Sequence, residues 1–171
     1  MKARLLALAV SAALVPHAYA ATFEVTRTDD PAPNGCQPED CSLREAVLAA
    51  NLLPDSTVNL PAGTYRLSIV RGEADPDDGT KGNLVIAAPM TLAGAGMDLT
   101  IVDARPDDGE ATPGVDRVLT ILRQGAPVTV TGLTLTGGYL DPENIFAGQG
   151  GCLLIRGGSA ALTDVRVTGC F

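Results

Sequence analysis

Histidine is nearly missing from the 171 residues: His17 stands alone, and there is no tryptophan. His17 lies in a leader that is predicted to be removed, so the processed chain would hold none. Without histidine a protein cannot run a Ser-His-Asp or Cys-His mechanism, nor build a histidine-ligated zinc site. Basic residues are also scarce, with 12 Lys and Arg against 20 Asp and Glu. That balance argues against a phosphate-backbone partner, so no nucleic acid is expected. A membrane-spanning run is missing too. The apolar stretch at residues 5–15 has 11 residues, where a bilayer needs about 20.

That stretch has another reading. Met1-Lys2-Ala3-Arg4 is basic, residues 5–15 are almost wholly apolar, and Ala18-Tyr19-Ala20 is a small-x-small site. This is the layout of a secretory signal peptide, with cleavage predicted between Ala20 and Ala21. Removal leaves 151 residues with a net charge of −10. The expected location is outside the cytoplasm: secreted, periplasmic or at the cell surface.

The four cysteines, Cys36, Cys41, Cys152 and Cys170, all follow the cleavage point. An even count in an exported chain points to disulfides. Four cysteines allow three pairings, and sequence proximity favours Cys36–Cys41 with Cys152–Cys170. Loop closure would contribute about 2 and about 3 kcal/mol respectively. The spacings do not form two tight chelating pairs for zinc.

One helix is expected. Ser42 and Glu45 form a capping box, and Leu43, Ala46, Val47 and Ala50 recur at i, i+3, i+4 and i+7 to make one apolar stripe. Pro54 is expected to stop the helix. The rest reads as short strands at residues 22–28, 57–60 and 64–70, followed by a loose repeat. Leu84-Val85-Ile86, Leu119-Thr120-Ile121 and Leu153-Leu154-Ile155 open three blocks whose last residues are 35 and 34 apart. A second strand (residues 90–94, 128–132, 161–164) and a third (99–102, 133–137, 165–169) complete each block. Val, Thr, Ile and Gly dominate, alternation has period two, and breaks come every few residues. Such blocks predict three short strands per coil, not helical pairs. The expected fold is all-β: a right-handed parallel β-helix of about three coils plus a partial one, closed at its start by the short α-helix. Residues 21–55 would hold the first strand, the Cys-clipped loop and the helix, and residues 56–171 the coils. Leu, Val and Ile are expected to point inward, and Thr and Arg outward.

Cys41-Ser42-Leu43-Arg44-Glu45-Ala46 resembles the hexapeptide of the CSLREA domain, found after the signal peptide of bacterial exported proteins. Leu60-Pro61-Ala62-Gly63-Thr64-Tyr65, Leu92-Ala93-Gly94-Ala95-Gly96 and Gly132-Leu133-Thr134-Leu135-Thr136-Gly137-Gly138 are similar to that family as well. The resemblance implies a pectin-lyase-like parallel β-helix of the kind found in adhesins and polymorphic outer-membrane proteins. It supplies no catalytic residues. The chain departs from the family at Gly150-Gly151-Cys152-Leu153 and at Cys170. Arg44, central in the hexapeptide, has no role that the helix pattern assigns.

Two acidic stretches interrupt the coils, and their candidate ligands for calcium are Asp75, Asp77, Asp78, Asp107 and Asp108. Clustered carboxylates suit this hard cation, but the spacing misses the EF-hand register. Solvated loops are the favoured reading, and no other cofactor is implied. Gly94-Ala95-Gly96 lacks the third glycine and the helix of a dinucleotide site. Asp98, Asp103 and Asp116 are the carboxylates that a polysaccharide lyase or hydrolase would draw on. Tyr139 and Phe146, in the loop at residues 139–150, are expected to fold back on the coil.

The function expected is non-catalytic: an exported, adhesin-like surface module or part of one, with a carbohydrate or host-surface ligand. The alternative is a carbohydrate-active β-helix enzyme. A third reading is an assembly unit, because the repeat pattern breaks off at Phe171 and leaves a coil edge open for continuation or self-association.

Overall fold

The computed structural model describes residues 20–72, 74–105, 116–122, 127–139 and 150–171. Residues 1–19 of the expected leader, Asp107, Asp108 and Phe146 lie outside the described residues. The elements run β1 (Thr22–Glu24), α1 (Leu43–Ala50), β2 (Ser56–Leu60), β3 (Gly63–Arg66), β4 (Leu84–Ile86), β5 (Met90–Gly94), β6 (Thr100–Asp103), β7 (Leu119–Leu122), β8 (Val128–Thr136), β9 (Leu153–Arg156) and β10 (Ala160–Thr168). They form a parallel β-helix of about four turns.

Every strand pairing among the described residues is parallel, and the expected repeat is its register. Ile86 pairs with Ile121 and Ile121 with Ile155, along the face β4-β7-β9. A second face carries β1, β2, β5 and the first halves of β8 and β10, and a third carries β3, β6 and the second halves. Inward residues stack in rows: Val58, Leu92, Val130 and Leu162 on one face, and Tyr65, Val102, Leu135 and Val167 on another. All but the last member of each row are buried. Helix α1 contributes Leu43, Ala46, Val47 and Ala50 to the same core.

Three details differ from the sequence expectation. In the later coils the second and third strands are one bent strand of nine residues, β8 or β10. The glycine that looked like a break is the corner itself: Gly132 takes φ +64°, and a Cβ on it or on Gly94 would collide with the other's carbonyl. Strands β1 and β3 are shorter than expected, ending at Glu24 and Arg66, although Leu67 stays buried and bonds to the Asp103 carbonyl.

The expected outward threonines are not all outward. Thr100, Thr120 and Thr134 are buried. The Thr100 hydroxyl donates to the Pro61 carbonyl, and Thr134 donates to the Met97 carbonyl at 2.6 Å. At tight corners a hydroxyl satisfies a carbonyl that the ladder leaves over.

Candidate functional site

The densest polar site lies under α1. Arg44 is 1 % exposed. Its Nε and Nη2 donate to Oδ1 and Oδ2 of Asp30, both at 2.8 Å. Nη1 donates to the Gly79 carbonyl at 2.7 Å and Nη2 to the Gly82 carbonyl at 2.8 Å. Asp30 Oδ2 also accepts from the backbone amides of Ser68 and Ile69. One guanidinium thus ties the helix to the proline-rich loop at Asp30, to the strand exit at residues 68–69, and to the loop leading into β4. A bidentate arginine is suited to this because its donors form a planar fork. Both charges are saturated from within the chain, so the site fastens and has no free group for chemistry.

Asn51 completes the fastening. As the C-cap of α1 it donates from Nδ2 to the Val85 carbonyl and accepts at Oδ1 from the Ala87 amide, both at 2.8 Å. A parallel neighbour would bond that strand edge in the same way, one carbonyl and one amide two residues on. The helix ends at Asn51, three residues ahead of Pro54. The capping box is present: Glu45 accepts from the Ser42 amide, and Ser42 Oγ accepts from the Glu45 amide. Glu45 also accepts from the Asn34 amide.

Both expected disulfides are formed, with Cα–Cα distances of 4.3 Å for Cys36–Cys41 and 5.4 Å for Cys152–Cys170. The first leads directly into the N-cap of α1, and the second clips the last coil.

The acidic loop is internally paired. Asp75 accepts from the Gly72 amide and from Lys81 Nζ, and Asp78 accepts from the amide and hydroxyl of Thr80. These contacts hold both carboxyls below the usual range. Asp77 is exposed. Among the described residues no group of three or more His, Cys, Asp or Glu side chains could hold a metal ion.

The three carboxylates considered for glycosidic chemistry are each engaged by arginine. Asp98 meets Arg166 at the surface. Asp103 is gripped by Arg105 and approached by Arg66. Burial would raise the Asp103 pKa, but the Arg105 hydrogen bonds and the two positive charges outweigh it and lower it. Asp116 accepts from Arg71 Nε at 2.9 Å and from the Arg117 amide. Burial works to lower the Arg71 pKa, while the Asp116 bond and charge raise it, and the raising wins. Tyr139 is half-buried, and its amide donates to the Asp116 carbonyl. A small apolar recess of about 210 Å³ lies on the outer side of α1, between Cys36, Leu48 and Leu52.

The residues that sequence reasoning missed are Asp30 and Asn51, together with the role of Arg44. The available signal was the seven-residue spacing of Arg44 and Asn51, which puts two polar side chains on one face of the helix.

No protein family, curated protein or solved structure matches the chain. No helix among the described residues is long and apolar enough to cross a membrane.

Proposed function

We propose that the protein is a non-catalytic, exported surface module: a parallel β-helix of the adhesin-like kind, with a CSLREA-type region as its N-terminal closure. The observation that carries this reading is the engagement of Asp98, Asp103 and Asp116. Each is neutralised by an arginine. The lowered pKa of Asp103 is the opposite of what a general acid needs. The deeply buried charges of the N-terminal closure, Arg44 with Asp30 and the neighbouring Glu45, are engaged by structural contacts.

Export is supported by the leader pattern, by two disulfides, and by the position of the cleavage site. Ala20 is exposed, whereas the Ala21 carbonyl already accepts from the Thr57 amide. Cleavage after Ala20 would leave the fold intact from its first bonded residue.

The test is to express the full sequence with its leader and sequence the N-terminus of the exported product. The product is then assayed against neutral and acidic polysaccharides. A start at Ala21, with no chain cleavage of any polymer, is the expected result. Release of unsaturated or reducing ends that disappears in Asp116→Asn or Asp103→Asn would overturn the non-catalytic reading in favour of a carbohydrate-active enzyme.

A further inference from the structure

Four asparagines lie among the described residues, and three of them are held by their side chains. Asn51 bonds the Val85 carbonyl and the Ala87 amide, Asn59 donates to Glu24, and Asn83 donates to the Thr120 hydroxyl and the Leu84 carbonyl. Each of the three is followed by leucine. Asn34 differs on every count. It is exposed in the loop ahead of α1, its side chain has no hydrogen-bond partner among the described residues, and Gly35 follows it. Nothing among the described residues accepts from the Gly35 amide either. Gly35 is exposed with φ +107°, and beyond its chain neighbours the nearest atom to a Cβ built on it would be Gln37 Nε2, at 3.9 Å. Its nitrogen is open to reaction, and the residue has the conformational freedom to turn toward the side chain before it.

We propose that Asn34-Gly35 is a site of self-modification, at which the chain converts Asn34 to aspartate and isoaspartate and so loosens the N-cap of α1. Asparagine is one of the thermolabile residues, and the step needs only water. The Gly35 nitrogen gives up its proton to base and bonds to Asn34 Cγ. The Cγ–Nδ2 bond then breaks, releasing ammonia and leaving a succinimide. Water adds to one of the two imide carbonyls. Opening at Cγ gives aspartate. Opening at the backbone carbonyl gives isoaspartate, whose main chain runs through Cγ and is longer by one carbon. The place of this loop in the fold gives the change its effect. The Asn34 amide donates at 3.0 Å to Glu45, the buried carboxylate of the capping box. Either product puts a new negative charge on the residue that bonds Glu45, and like charges repel. Isoaspartate also lengthens the short span between Asp30, held by Arg44, and Cys36, held by Cys41. Asp78-Gly79 is a poorer target, because Thr80 holds the Asp78 carboxylate and Gly79 is buried. The inference rests on the loop and cap geometry and is independent of the adhesin-like reading.

Incubating the exported chain at mildly alkaline pH and mapping its peptides by mass spectrometry tests the proposal. Asn34→Gln is the control: it keeps the amide, closes a larger ring far more slowly, and loses no hydrogen bond of the folded chain. The mass gain of amide to acid should build up in the peptide holding Asn34 at least an order of magnitude faster than in those holding Asn51, Asn59 or Asn83. Isoaspartate, counted in that peptide by isoaspartyl methyltransferase labelling, should appear with it in the parent and be lost in Asn34→Gln. The melting midpoint of the parent should fall as conversion proceeds, while that of Asn34→Gln incubated alongside stays where it was. Conversion of Asn34 no faster than of the other three asparagines, or a midpoint that falls equally in both proteins or in neither, would overturn the proposal.

Discussion

Arg44 and Asn51 stand seven residues apart on one face of α1, and together they bond four consecutive points along residues 79–87: the carbonyls of Gly79, Gly82 and Val85 and the amide of Ala87. A helix cannot extend a β-ladder with its own backbone, because its amides and carbonyls are used internally. These two side chains do what the helix backbone cannot. They give the first coil a finished edge.

Removing the guanidinium should therefore be costly. Arg44→Ala would strand Asp30, whose carboxylate is also buried, and breaking a buried pair from one side costs about 3–5 kcal/mol. In a chain of this size that corresponds to a melting temperature lower by roughly 6–20 °C. Arg44→Lys should recover little of the loss, since an ammonium cannot span both Asp30 oxygens and two carbonyls at once. Thermal denaturation followed by circular dichroism reads the effect. An unchanged midpoint in Arg44→Ala would remove the structural role assigned to this arginine.

Asn51 gives a more local prediction. Asn51→Ala leaves the Val85 carbonyl and the Ala87 amide without their partner, at a cost of about 1–3 kcal/mol. Asn51→Asp keeps an acceptor for Ala87 but sets a carboxylate against the Val85 carbonyl, so it should fall between the parent and Asn51→Ala or below both. The Ala87 amide should exchange with solvent faster in Asn51→Ala than in the parent. Equal exchange rates would mean that Asn51 does not hold this edge.

How much of this could be read in advance follows from the range of each signal. The capping box, the apolar stripe of α1 and the pairing of nearby cysteines are local, and all three are present as expected. The 35- and 34-residue intervals survive as register because stacked coils place equivalent residues side by side. The fastening of Arg44 is different. Its partners lie 14, 35 and 38 residues away, in loops with no periodicity. A charged residue on a short helix carries no mark that distinguishes burial from solvation. Gly132 failed as a guide for a related reason: glycine marks a chain reversal and a bent strand equally well.

The Cys152–Cys170 bridge should set the stability of the last coil. It joins the residue before β9 to the second residue after β10, and Cys152 is buried at the start of the β9 face. Replacing both cysteines by serine should lower stability by about 3 kcal/mol through the entropy of the open chain. Limited proteolysis should then cut within residues 150–171 before it cuts elsewhere. If Cys36 and Cys41 are replaced instead, early cuts should move to the loop at residues 29–40. Identical cleavage patterns for the two double variants would show that neither bridge acts locally.

Asp103 links stability to acid. Its Oδ1 accepts from the Arg105 amide and Nε at 3.0 Å, and its Oδ2 from Arg105 Nη2 at 2.8 Å. Its pKa is lowered in the folded chain relative to its ordinary value. A carboxyl with a depressed folded pKa stabilises fully above its unfolded pKa, about 3.9 for aspartate, and the contribution fades as pH falls through the lower folded value. The parent should therefore lose stability on acidification below about pH 4. Asp103→Asn should be less stable at pH 7 by about 2 kcal/mol, since hydrogen bonds to a charged group are lost. The gap between the two proteins should narrow as pH drops, because protonation removes from the parent the charge that the variant already lacks. Asp75 and Asp78 are also held low and remain in both proteins, so the variant should keep a residual acid dependence. Melting midpoints for the pair at neutral pH and at successive acid pH values decide the matter, and a gap that stays constant down to about pH 2 would show that the Asp103 charge is not what Arg105 stabilises.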